Sequence, residues 1–305
     1  MGGARYHQPV LLSKCISALN IDPEGVYVDV TFGGGGHSLK ILERIKGGRL
    51  IAFDQDEDAR REAEKINHRS FTFCQANFKY MKKYLKLNQI TRVNGILADL
   101  GVSSHQIDAP GRGFSTRFDG PLDMRMDVKG KVTAARVLNE YPEGELHKVF
   151  GMYGEVKNAR TAAKMVAQAR NRKRFERNYD LLEVLKPIAP RGKDFKYFAQ
   201  VFQALRIEVN KEMEALESFL LQCGEVVGPG GRLVVISYHS LEDRLVKNYI
   251  NTGKVHGELE KDFYGNPIRP FKAVNRKPIM AEEEELEQNN RARSAKLRIA
   301  ERLWI

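Results

Sequence analysis

The chain is poor in the features that mark several common protein classes. It has 305 residues with only three cysteines, Cys15, Cys74 and Cys223, far apart and without a CxxC pair. That spacing excludes a disulfide framework or a zinc-thiolate site and predicts buried thiols in a reducing compartment. No apolar run approaches the roughly 20 residues that cross a bilayer. The opening residues MGGARYHQPVLL lack a leader's apolar core, so the expectation is a cytoplasmic protein with no membrane partner. The seven histidines are scattered, without HExxH spacing, and no metal is expected. The absence of GxSxG and of GxxxxGK[ST] argues against a serine hydrolase and against ATP use.

Positive charge is abundant. The net charge is +11, which favours a polyanionic partner. The charge is clustered: residues 157–177 hold eight basic side chains, Arg172 and Arg174 among them, against the single acid Glu176. Residues 289–298 hold four, including Arg291 and Arg293, and no acid. Clustered cations are the electrostatic footprint of a nucleic-acid binder, although a solvated helix face accounts for many such runs.

The first hundred residues alternate strand and helix patterns. Strands are predicted at 26–30, 50–53, 71–75 and 95–99, and helices at 38–45, 58–67 and 79–87. This rhythm builds a mostly parallel α/β sheet with helices on both faces. A loop is predicted over 101–130, then helical patterns, then a long helix over 200–222 ended by Gly224 and by Pro229-Gly230-Gly231, a strand over 233–237, a helix over 241–250 and a last strand over 296–303. The expected organisation is a discontinuous α/β domain, 1–106 with 199–305, interrupted by an all-helical insertion, 107–198.

The chemistry concentrates where strands end. The run VYVDVTFGGGGHS carries Asp29 into four consecutive glycines, residues 33–36, and the second strand ends at Asp54. Strand, glycine turn, helix, strand and acid together hold an adenosine-bearing cofactor: bare backbone approaches the ligand, and the acid accepts from ribose hydroxyls. The fourth strand ends at Asp99. Three carboxylates on one rim are costly unless each has donors to bind. A dehydrogenase fingerprint would want glycine at position 38, where the chain has Ser38. An oxidoreductase and a catalytically silent RNA binder remain the other two readings of this pattern.

These residues resemble a known family. HQPVLL at 7–12, DVTFGGGGHS at 29–38, DLGVSS at 99–104, GFSTRFDGPLDMRMD at 113–127, FQALRIEVN at 202–210, PGGRLVVISYHSLEDRLVK at 229–247 and NNRARSAKLR at 289–298 are similar to the bacterial 16S ribosomal RNA cytosine N4-methyltransferases, in family order along the whole chain. The resemblance implies a class I methyltransferase (Rossmann-like) fold with S-adenosylmethionine as cofactor. It implies methylation of the exocyclic N4 of a cytidine in the decoding region, on small-subunit ribosomal RNA or an assembling small ribosomal subunit, with no DNA partner. It places cofactor contacts on Gly35, Gly36, His37, Asp54, Phe78, Asp99 and Gln106. Asp99 is the candidate catalytic acceptor at N4. Arg112, Arg117, Arg125, Arg172, Arg174, Tyr238, His239, Arg291 and Arg293 are candidate RNA contacts. Tyr238, with Phe114 and Phe118, is a candidate stacking ring, and Asp119, Asp123 and Asp127 could instead hold the loop arginines in internal ion pairs. Two stretches depart from the commoner pattern: residues 198–201 read FAQV, without an arginine, and Asn290 stands where the family usually has proline. A homo-oligomer is compatible with the sequence, which does not specify one.

Overall fold

The computed structural model describes residues 9–304. The chain forms two compact units: residues up to Gly101 joined with Met213 onward, and Val102–Glu212.

The first unit is built on a seven-stranded sheet. Its strands are β1 (Val26–Asp29), β2 (Arg49–Asp54), β3 (Phe71–Gln75), β4 (Val93–Asp99), β5 (Val227–Ser237), β6 (Phe271–Ala273) and β7 (Lys296–Arg302). The spatial order is β3-β2-β1-β4-β5-β7-β6. β1 to β5 run parallel, and β7 is antiparallel to both of its neighbours. This is the class I methyltransferase arrangement. The order reverses at β1, between β2 and β4, and a ligand crevice opens at such a point beyond the carboxyl ends of the strands.

The central strands are apolar on both faces because helices cover both. Alternate side chains divide between two cores. Val28, Ile51, Phe53, Ile96 and Val235 pack with Phe219 and Leu220 of the helix Glu212–Val226 and Val246 and Tyr249 of the helix Ser240–Thr252. Tyr27, Leu50, Leu97, Val234 and Ile236 pack on the opposite side with Cys15 and Leu19 of the helix Leu12–Leu19 and with Ile41 and Leu42. Each such side chain contributes about 1.5–3 kcal/mol by leaving water. All three cysteines are free and buried.

The second unit is helical, with Ala134–Glu140, Glu143–Lys148, Ala159–Ala169, Asn178–Leu185 and Asp194–Asn210 around a core of Leu138, Phe150, Val166, Leu181, Val201 and Leu205. Among the described residues no helix is long and apolar enough to cross a membrane.

Four features differ from the sequence expectations. The predicted helix over 200–222 is two helices, Asp194–Asn210 and Glu212–Val226, separated by Lys211 in the left-handed region at φ 51°. Gly224 does not end the second of these. A Cβ there would collide with the Tyr249 hydroxyl, so the glycine serves close packing of that helix against Ser240–Thr252. The compact helical unit spans Val102–Glu212 rather than 107–198, because the helix Asp194–Asn210 supplies Tyr197, Val201 and Leu205 to that unit's core. Finally, the predicted loop over 101–130 contains a short helix, Ser104–Asp108, and a turn of 3-10 helix, Pro110–Arg112.

Candidate cofactor and RNA site

β1, β2 and β4 are adjacent in the sheet and each ends in an aspartate, so Asp29, Asp54 and Asp99 line one rim. The glycine bend follows β1 directly. Gly35 has φ 79°, a conformation that favours glycine, and the helix Gly36–Leu42 starts from it. On the side where side chains would project, Gly35 is backed by the Phe32 ring and Gly36 by Pro9. Both glycines are therefore required by internal packing, since a side chain at either position would collide with Phe32 or Pro9.

Each acid has its own partners. Asp29 is 1% exposed and accepts from Ser38 Oγ at 2.7 Å and from Thr31 N at 3.1 Å. Burial pushes its carboxyl up, against the pull of His37 and Ser38. Asp54 accepts from the backbone N–H groups of Gly33 and Asp56, both at 2.9 Å. Those two bonds tie the tip of β2 to the bend after β1. Burial nevertheless raises Asp54 to about 6, and the charges adding to the rise are the acids Asp56 and Asp29.

Asp99 sits at the centre of a small polar network. Tyr238 Oη donates to Asp99 Oδ1 at 2.7 Å, and the Asp99 N–H donates to Thr31 Oγ1 at 2.6 Å. His37 Nε2 lies 3.1 Å from the Val10 carbonyl, to which it donates, so Nδ1 faces Asp99 Oδ2 at 3.9 Å. Burial lifts Asp99 to about 6, opposed by His37 and the Tyr238 hydrogen bond. The Asp99 side chain still keeps 22% of its surface open, so it is reachable from solvent. Burial and the nearby Asp99 charge push the Tyr238 phenol well up, which keeps it a donor.

Phe78 opens the turn after β3 and is half-buried, its ring 5.5 Å edge-on from Phe219. Asn77, beside it, donates to the Gln55 side chain at 2.9 Å, which links this turn to the residue after Asp54. The structure thus gathers Gly35, Gly36, His37, Asp54, Phe78 and Asp99 along the carboxyl rim of one unit. Gln106 belongs to the other unit, where its side chain accepts from the Ser103 N–H at 2.9 Å and completes a capping box. The structure adds Thr31, and gives Ser38 a role as a donor to Asp29 that the sequence analysis does not assign. Their signal was available: hydroxyls immediately flanking a strand-end acid and a glycine turn.

The candidate RNA contacts separate into committed and free groups. Arg125 donates to Asp123 through Nε at 2.8 Å and Nη2 at 2.6 Å, and to the carbonyls of Val128 and Gly130 at 2.8 and 2.7 Å. Burial pushes Asp123 up, but the hydrogen bonds from Arg125 prevail and hold it below the usual carboxylate range. Arg125 is therefore in the internal ion pair that the sequence reading gave as the alternative to a phosphate clamp. Arg112 donates to the Arg125 carbonyl at 3.0 Å and lies over the Phe114 ring, 5.8 Å from its centre. Arg117 pairs with Asp108 at 3.1 Å in an exposed position. Arg172 and Arg174 are exposed, and among the described residues their guanidinium groups have no carboxylate partner. Tyr238 is tied to Asp99 rather than free to stack. His239 caps the helix Ser240–Thr252: its backbone and that of Tyr238 donate to the Glu242 carboxylate, at 3.3 and 2.8 Å. Arg291 and Arg293 lie in the 3-10 turn Asn290–Ser294, with Arg293 exposed and Arg291 partly covered.

The model of the MraW methylase family matches residues 4–303. The chain is 59% identical over 297 residues to the ribosomal RNA small subunit methyltransferase H of Cytophaga hutchinsonii, covering 97% of this chain and 99% of that protein. A protein of the same name from Flavobacterium johnsoniae is 54% identical over 299 residues, covering 98% of each. One from Bacteroides fragilis is 54% identical over 298 residues, covering 97% of each.

Proposed function

The chain belongs to the MraW methylase family, and from that premise we propose how its own residues carry out the methylation of small-subunit ribosomal RNA. The enzyme is an S-adenosylmethionine-dependent methyltransferase, and its target is the exocyclic N4 of a cytidine in the decoding region of 16S ribosomal RNA. The observation that carries this reading is the set of three adjacent strand tips, Asp29, Asp54 and Asp99, beside a bend of bare backbone.

The residues present fit the cofactor. Asp54 is a half-buried carboxylate raised to about 6, with acids as its charged neighbours, and its lone pairs beyond the two backbone bonds suit two ribose hydroxyls. Phe78, held edge-on by Phe219, offers a flat apolar face to adenine. Gly35, Gly36 and His37 would hold the rest of the cofactor from the glycine bend. When bound, S-adenosylmethionine supplies an electrophilic methyl group on a sulfonium sulfur.

Cytosine N4 is a weak nucleophile because its lone pair is delocalised into the ring. Positioning it in line with the methyl group is worth about 7–11 kcal/mol at best. Asp99 accepts a hydrogen bond from N4–H, which localises the lone pair and favours the positive charge that develops on nitrogen. With its carboxyl raised to about 6, Asp99 is ionised at neutral pH yet basic enough to take the proton that N4 loses. Tyr238 donates to Oδ1 and so orients the carboxylate. Arg172 and Arg174 bind RNA phosphates. A target base must leave its stack, which costs least in single-stranded RNA.

The test is transfer of labelled methyl from S-adenosylmethionine to small-subunit ribosomal RNA, followed by mass spectrometry of the nucleosides. N4-methylcytidine is the expected product. Label in another nucleoside, or none in RNA, overturns the proposal.

A further inference from the structure

Resting on the ribosomal RNA reading above, we propose that a cavity on the far edge of the sheet, between β7 and the helix Ser240–Thr252, binds the phosphodiester backbone of the substrate beside the target nucleotide. The cavity measures about 240 Å³ and lies within the first unit. Lys247 and Asn251 line it from the helix, Arg276 from the turn after β6, and Ile250 and Ala273 give it an apolar floor.

The charge balance of this cavity is unusual. The acid nearest by sequence on the same helix, Asp243, is fully engaged. Arg298 holds it through Nε at 2.6 Å and Nη2 at 3.1 Å, and Lys296 Nζ lies 3.6 Å away. Arg298 is thus a neutralised wall of the cavity. Lys247 and Arg276 are exposed, face the same space, and have no carboxylate partner among the described residues. Two unpaired cations around one cavity repel each other until an anion lies between them. The turn that presents Arg276 is also fixed: Asn275 donates to the carbonyls of Lys277 and Leu297, at 2.7 and 3.2 Å, and accepts from Ile299 N at 2.8 Å. The backbone that carries Arg276 is thus already ordered before an anion binds.

The strand register sets the distance to the methylation rim. Asp99 pairs with Ile236, and Ile236 pairs with Leu297, two residues before Ile299. Two interstrand steps and two residues along β7 put the Ile299 backbone, in the cavity wall, roughly 12 Å from the Asp99 backbone. Neighbouring nucleotides of an extended single strand reach that far. The apolar floor can take a ribose or base edge while Lys247 and Arg276 take phosphate oxygens.

The experiment measures binding of a single-stranded 16S ribosomal RNA fragment containing the target to the full-length protein and to the double variant Lys247→Gln/Arg276→Gln, across a salt series. Losing two phosphate contacts should weaken binding about tenfold at moderate salt. It should also make the slope of log K against log salt shallower by about 1.4. S-adenosylmethionine affinity, by calorimetry, should stay as in the wild type. The single variant Lys247→Gln should give about half the slope change, so the result does not depend on one double variant folding. Unchanged RNA affinity and slope in variants with a wild-type melting temperature would overturn the inference. So would tight binding of inorganic phosphate alone that the substitutions abolish while RNA binding persists, which would assign the cavity to a free anion. Methyl transfer by the wild type separates the two levels: a wild type that methylates RNA with variants that bind normally defeats only the cavity.

Discussion

Two arginine-rich stretches of the helical unit look alike as sequence and differ as structure. In the loop around residues 112–130, Arg125 is surrounded by Asp123 and the carbonyls of Val128 and Gly130, and Arg112 donates to the Arg125 carbonyl. In the connector around residues 170–177, Arg172 and Arg174 extend into solvent without a carboxylate partner. The lesson is that a basic residue becomes a candidate for RNA only after its internal partners are subtracted. Charge density alone does not separate the two stretches. The pairings do: Asp123 holds Arg125 inside the loop, whereas Asp119 reaches across to Arg177, leaving Arg172 and Arg174 of the connector without an acid among the described residues.

This contrast can be broken by substitution. The largest effect is expected for Arg125→Ala, which strips a half-buried carboxylate and two carbonyls of their donor. A loss of about 2–4 kcal/mol in stability should follow, read by denaturant unfolding. A variant as stable as the wild type would show that Arg125 is not a structural clamp. Reversing charge at Arg172 and Arg174 should do the opposite. RNA binding should weaken at least about tenfold, and neutral replacements should make the salt slope shallower by about 1.4. The melting temperature should stay within a degree or two. Insensitivity of binding to both changes would remove the connector from the RNA interface. Arg117, in an exposed pair with Asp108, should fall between the two classes: Arg117→Gln should change stability by less than about 0.5 kcal/mol.

The rim acids give a pH test of their own. Asp54 and Asp99 are raised to about 6 from an ordinary 3.8, so in the free protein they take up protons as pH falls below 6. Asp54 must be ionised to accept from ribose hydroxyls, so cofactor binding expels that proton. The dissociation constant for S-adenosylmethionine should be flat above about pH 6.5. It should rise as pH falls through 6, by up to about tenfold per unit from Asp54. A constant affinity from pH 7 to 5 would contradict this role.

Much of the rim was legible because its signals are local. β1, β2 and β4 are short, largely buried apolar runs, and each ends directly in its acid. Other features depend on tertiary neighbours. Nothing near Lys211 marks a break, since the apolar spacing of Val209 and Met213 continues across it; the break is a single left-handed residue. Gly224 reads as a helix stop and is instead a contact point for Tyr249. The three-residue strand β6 is too short to show a period. The bond from Tyr238 to Asp99 joins positions 139 residues apart, so neither residue's sequence surroundings reveal it.

The account rests on the strand tips and the glycine bend forming a cradle for S-adenosylmethionine. The most direct measurement is calorimetric titration of S-adenosylmethionine into the wild-type protein and into Asp54→Asn. The wild type should bind. The variant, with two charge-assisted hydrogen bonds weakened, should bind about a hundredfold less tightly and lose the pH dependence near 6. Equal affinity in the two proteins, or no binding by the wild type, would contradict the account.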